Sequence, residues 1–106
     1  MKPNRKKTRL QLLPIERYVG VDEKDPIKFY HLPVIGRMYQ QRIELCLDQL
    51  AGGQSVLEVG FGSGVSFLNL SQLYREIHGI DLTADTRHVG EMFAGLGIQT
   101  ELRNGS

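Results

Sequence analysis

The tightest constraint on this chain is a short apolar run that ends in a cluster of glycines. Ser55-Val56-Leu57-Glu58-Val59 is β-branched, almost continuously apolar and short. A strand buried in a parallel sheet has this pattern. Gly60-Phe61-Gly62-Ser63-Gly64 follows without a spacer, and a helical pattern then runs from about residue 64 to 75, with Val65, Leu68, Leu70 and Leu73 among its apolar positions. Glu76-Ile77-His78-Gly79-Ile80 is a second short strand, ending at Asp81. Strands alternating with helical segments predict parallel pairing through right-handed crossovers.

The remaining segments extend that unit. Residues 34–50 have apolar positions at three- and four-residue spacing (Ile35, Met38, Tyr39, Ile43, Cys46, Leu47, Leu50), which predicts a helix entered at Pro33 and stopped by Gly52 and Gly53. Thr83 is the expected cap of a third helix over about residues 84–95, with Asp85 in its first turn and Gly95 or Gly97 at its end. Residues 98–103 alternate and predict a third strand. The expected fold class is therefore α/β: a helix, then β-α-β-α-β in a parallel sheet. Ahead of it, residues 1–33 form a basic tail and an irregular leader. Five cations (Lys2, Arg5, Lys6, Lys7, Arg9) fall within the first nine residues and predict a solvated tail. Pro14, Gly20, Pro26 and Pro33 punctuate the leader too often for a long element, leaving Leu10, Leu12, Leu13, Ile15, Tyr18 and Val19 to dock as an extended arm or short strand.

Composition excludes several classes. With 106 residues the chain makes one small domain, which buries only about 60–65% of the surface of its unfolded form. Hydrophobic residues at 41% and charged residues at 24% are ordinary for a globular protein and argue against disorder. A net charge of +1 gives no general pull toward nucleic acid or acidic lipid. No apolar run approaches the roughly 20 residues of a membrane-spanning helix. Gln11 and Pro14 break the apolar stretch behind the basic start, so no signal peptide is expected. The lone Cys46 rules out an internal disulfide and suits a reducing, cytoplasmic setting.

The chemistry concentrates in Glu58-x-Gly60-x-Gly62-x-Gly64 and in Asp81. Glycines lack Cβ, so the backbone can turn sharply and a ligand can reach the main chain. Asp81 lies 21 residues after Gly60. In a βαβ unit that spacing sets a carboxylate at the end of the neighbouring strand, beside the same crevice, where it can accept hydrogen bonds from ribose hydroxyls. A dinucleotide loop of the form G-x-G-x-x-G would need its third glycine at position 65, which is Val65; here it comes one residue early, at Gly64. This weakens an NAD(P) reading.

Val56-Leu57-Glu58-Val59-Gly60-Phe61-Gly62-Ser63-Gly64, followed by Gly79-Ile80-Asp81-Leu82, resembles the first two motifs of class I, Rossmann-like methyltransferases dependent on S-adenosylmethionine (SAM). The resemblance covers roughly residues 34–106. It implies SAM as cofactor, with the loop Gly60–Gly64 passing its methionine end and Glu58 setting the loop and the amino-acid end. It further implies that Asp81 binds the ribose hydroxyls and that Leu82 lies against the adenine. The reaction implied is displacement at the sulfonium methyl group, for which a protein mainly aligns acceptor and cofactor and excludes water. The acceptor, and any catalytic base, is not identified by these residues.

In that family the sheet continues past the third strand, so the expectation is a partial, N-terminal portion of a doubly wound domain: a fragment, inactive alone. Its helices would cover one face of the sheet, and the first strand would be an open edge that invites self-association. Two alternatives stand beside the methyltransferase reading: a non-catalytic module that binds SAM or acts by association, and an NAD(P)-binding portion. His78 is expected to be structural, His31 and His88 have no metal-ligand spacing, and no metal is expected. Cys46, on the apolar stripe of its helix, is expected in the core, and Phe29, Tyr30 and Tyr39 are expected to pack. The tail is too short a basic patch to favour nucleic acid.

Overall fold

Three parallel strands in the order β1-β2-β3 form the sheet, and each crossover carries a helix. The computed structural model describes residues 8–18 and 27–105. In chain order the elements are a single 3₁₀ turn at Ile15–Tyr18, α1 at Ile27–Tyr30, α2 at Ile35–Leu47, β1 at Gly53–Val59, α3 at Phe67–Leu73, β2 at Tyr74–Asp81, α4 at Thr86–Ala94 and β3 at Thr100–Asn104. The expected α/β order is present. The strand expected at 76–80 begins two residues earlier and follows α3 directly, with Tyr74 already extended at φ −132°.

Register explains which residues the sheet hides. Val56 faces Ile77 and Ile77 faces Thr100; Glu58 faces Gly79 and Gly79 faces Leu102. These positions share one side of the pleat, and all are buried or half-buried. The opposite side carries Leu57, His78 and Glu101 in one row and Val59, Ile80 and Arg103 in the next. α3 and α4 pack on the first side. There Phe67 meets Phe61 and Phe93 at ring-centroid distances of 5.6 and 5.2 Å, over Ile77 and Val89. Val89 and Phe93, one helical turn apart, are the buried stripe of α4.

β1 is the open edge expected of a partial sheet, although its apolar run has the pattern of a strand covered on both faces. It is paired to β2 alone, and Leu57 and Val59 remain 56% and 75% exposed. An apolar run reads the same whether or not its second face is covered.

α2 departs further. Its buried residues are Gly36, Glu44 and Leu47, whereas Ile35, Met38 and Cys46 are exposed. The expectation of a core Cys46 is therefore overturned. The helix leans on the leader and α1, not squarely on the sheet. Glu44 accepts from the Leu10 N–H at 2.7 Å and from both guanidinium nitrogens of Arg37 at 3.2 and 3.1 Å. Burial alone would raise its pKa, but the Arg37 hydrogen bonds, the Leu10 amide and the charges of Arg37 and Arg9 outweigh it and hold the carboxyl below its ordinary value. Of the leader residues expected to dock, Leu10 and Tyr18 are buried, Leu12 and Leu13 half-buried and Ile15 exposed, and the Gln11 N–H donates to Asn69 Oδ1 at 2.8 Å. Thr8 is also tied down, its N–H donating to Asp48. Val19 and residues 1–7 of the tail lie outside the described residues.

The third helix also begins differently. Asp85, not Thr83, is the N-cap of α4, its carboxylate accepting from the His88 N–H at 2.9 Å. Thr83 lies two residues ahead of that cap, its N–H donating to Asp81. No helix among the described residues is long and apolar enough to cross a membrane.

Candidate functional site

Parallel pairing puts the C-terminal ends of β1 and β2 side by side, Val59 against Ile80, and the Gly60 N–H extends the ladder onto the Ile80 carbonyl at 2.7 Å. Both sequence-predicted acids thus arrive at one end of the sheet. The loop between β1 and α3 turns on three left-handed residues, Gly60, Gly62 and Gly64, at φ 75°, 56° and 78°. L-residues with a Cβ avoid that region.

Gly60 and Gly64 differ in what surrounds them. A Cβ at Gly60 would meet nothing within 4 Å, so the main chain there faces open space. A Cβ at Gly64 would lie 2.8 Å from the rings of both Phe67 and Phe93. Gly64 is therefore a packing glycine that lets the aromatic cluster close beneath the loop. Phe61 points into the core at 2% exposure and rests on Gly79, where a Cβ would come within 2.6 Å of its ring. Of the residues expected to touch a cofactor, Phe61 thus has backbone, not side chain, to offer. Ser63 is buried at 1% exposure. Leu82 is 71% exposed at the rim beyond Asp81.

The two carboxylates are in opposite electrostatic situations. Glu58 lies on the covered side of β1, where the Ser66 hydroxyl donates to it. Burial pushes its carboxyl above the ordinary value, and the single Ser66 hydrogen bond offsets only part of that. Asp81 Oδ1 accepts from the N–H groups of Thr83 and Ala84, both at 2.9 Å, and Oδ2 accepts from Gly62 at 2.8 Å. Burial would raise Asp81 too, but these three amides outweigh it and hold the carboxyl low. Asp81 is thereby a fixed anion that ties the glycine loop to the turn entering α4.

Sequence reasoning missed Ser66 as the partner of Glu58; no spacing rule marks a serine eight residues on. It also missed the turn held by Asp81, although an aspartate whose side chain accepts from the amide two residues on is a known turn former. Beside the site, Tyr39, Ile43, Leu47, Leu50, Val56 and Leu70 line an open groove of about 650 Å³ that Glu58 and Ser66 also border. Phe29, Tyr30 and Tyr39 pack on one another, with centroid distances of 5.7 Å for Phe29–Tyr39 and 5.4 Å for Tyr30–Tyr39. His78 stands on the open side of the sheet, 3.5 Å from Glu101. His31 bridges the Ile27 and Leu13 carbonyls. Among the described residues no three His, Cys, Asp or Glu side chains gather as a metal site.

No protein-family model matches this chain, and neither does any curated protein.

Proposed function

We propose that this chain is the cofactor-binding part of a class I SAM-dependent methyltransferase, a partial Rossmann-like unit acting on an acceptor still to be identified. The observation that carries the reading is the meeting of the glycine loop and Asp81 at the C-terminal end of adjacent parallel strands, joined through the Gly62 N–H. Ligands of open α/β sheets bind at that end of the strands.

The residues present are compatible with the cofactor. Open space over Gly60 lets a ligand approach the main chain. Asp81 is an ionised acceptor for hydroxyl donors, and Leu82 offers exposed apolar surface next to it. Glu58, held by Ser66 at the start of the loop, borders the groove where an amino-acid moiety would lie. SAM, when bound, supplies a methyl group already attached to an activated sulfonium leaving group. The chain's own part is to bind, orient and exclude water. The early third glycine, Gly64 in place of position 65, favours this cofactor over NAD(P). A cytoplasmic setting goes with the reading, since the one thiol, Cys46, is exposed and suits a reducing compartment.

The test is calorimetric titration with S-adenosylhomocysteine, with NAD as the control. Binding of the former alone supports the reading, and binding of NAD alone replaces it with a dinucleotide site. With neither ligand bound, the loop is a structural turn and the chain acts, if at all, by association.

A further inference from the structure

Asp81 has too few free acceptor positions for the ligand just proposed. An ionised carboxylate offers about four lone-pair positions. Thr83 and Ala84 occupy both on Oδ1, and Gly62 occupies one on Oδ2. A vicinal diol donates two hydrogen bonds, so it can be taken up only if one amide leaves.

The three amides are not equally held. Those of Thr83 and Ala84 are two and three residues from Asp81 in the chain, inside the turn that feeds α4. Losing either would loosen the turn just ahead of Asp85, the cap of that helix. Gly62 is 19 residues away, at φ 56° in the glycine loop, so its bond to Asp81 joins two separate segments. The Gly60 N–H is fixed on the Ile80 carbonyl at 2.7 Å, and the Phe61 carbonyl, in the same peptide as the Gly62 N–H, accepts from the Gly64 N–H at 2.8 Å. Releasing Gly62 therefore turns that peptide and loosens the Gly64 bond with it, but leaves the strand ladder and the turn into α4 in place.

We infer that Asp81 is a latch: in the free chain it holds the glycine loop through the Gly62 N–H, and a ribose diol binds by taking that acceptor position and releasing the amide. The inference rests on the reading of Asp81 as the ribose acceptor and adds to it a coupled movement of the loop. Ligand affinity is then reduced by the fraction of molecules in the latched state. A ligand with a single ribose hydroxyl can use the one vacant position on Oδ2 and leaves the latch closed.

Amide hydrogen exchange of the 106-residue chain, read by NMR, tests this with S-adenosylhomocysteine and its 2′-deoxy analogue as probes. The expected result is protection at Gly62 in the free chain, a fall of roughly tenfold on saturation with S-adenosylhomocysteine, about the worth of one net hydrogen bond, and no change at Thr83 or Ala84. The 2′-deoxy analogue leaves Gly62 protected. If S-adenosylhomocysteine binds and Gly62 stays protected, the latch is overturned while the cofactor reading stands. Equal release by the deoxy analogue also overturns it. If neither probe binds although Gly62 is protected, the cofactor reading fails and Asp81 is a structural clasp only.

Discussion

The turns that follow β1 and β2 do the same topological job, carrying a parallel strand into a helix, by opposite means. The first uses three left-handed glycines and buries Phe61 and Ser63 beneath them. The second has no glycine before α4 and leaves Leu82 and Thr83 exposed; carboxylates shape it, Asp81 accepting from Thr83 and Ala84 and Asp85 capping the helix. The difference carries to the acids that precede each turn. Glu58 and Asp81 both feel burial, yet one hydroxyl donor leaves Glu58 raised and three amide donors leave Asp81 lowered. Deeper desolvation at Glu58 and more donors at Asp81 together set the opposite signs. A rigid, packed turn and a turn built on acceptors meet at the Gly62–Asp81 bond, which is where a ligand would compete.

Substitution within the glycine loop has the largest expected effect. Gly64→Ala forces a Cβ against Phe67 and Phe93 at an unfavourable φ, for an expected loss of about 3 kcal/mol. Gly60→Ala has the same backbone problem in open space and should cost about 1 kcal/mol. Urea denaturation measures both; equal losses would break the distinction between a packing glycine and an access glycine.

Next comes the acceptor-built turn. Asp81→Ala strips three amides of their acceptor and is expected to cost about 2 kcal/mol, together with loss of S-adenosylhomocysteine binding in calorimetry. Glu58→Gln, which keeps an acceptor for Ser66 and removes a buried charge, should be neutral or stabilising at pH 7. A larger loss from Glu58→Gln than from Asp81→Ala would reverse the comparison.

The pH dependence separates the two acids. Asp81 and Glu44, both lowered on folding, contribute stability that is fully present above the ordinary carboxylate range and is lost as pH falls through it and below. Glu58, raised on folding, binds its proton more tightly in the folded state, so its contribution declines as pH rises from the ordinary range through the raised value. Thermal melts across pH should show Asp81→Asn flattening the acid limb and Glu58→Gln flattening the decline above it. The same limb affected by both substitutions would refute the opposite signs.

The smallest effect is expected on the open side of the sheet. Val59→Lys, at a position 75% exposed, should change stability by no more than about 0.5 kcal/mol in the same denaturation assay.

The βαβαβ order was legible because periodicity and glycine placement are local properties of the chain. So was the nearness of Asp81 to the loop, since spacing within a βαβ unit fixes which strand ends are neighbours. Less was legible wherever a partner is distant in sequence. The stripe of α2 marked Cys46 as core, yet Leu10 and Arg37 draw Glu44 inward and turn that stripe partly to solvent. Thr83 looked like a cap because it stands before a helical run; the helix starts only at Thr86, and the carboxylate next to it, Asp85, takes the His88 amide.

By itself, then, the sequence determined the alternation of strands and helices, the sharp glycine turn and the two acids that end the first strands, because each follows from side-chain size, branching and spacing along the backbone. Tertiary structure alone decided which side of the sheet is covered and which glycine is bound by packing. It also decided which half-buried carboxylate is held low by three amides and which is raised beside a single hydroxyl. Those outcomes depend on neighbours supplied by remote segments, and burial and donor number are properties of the assembled neighbourhood, not of the residue.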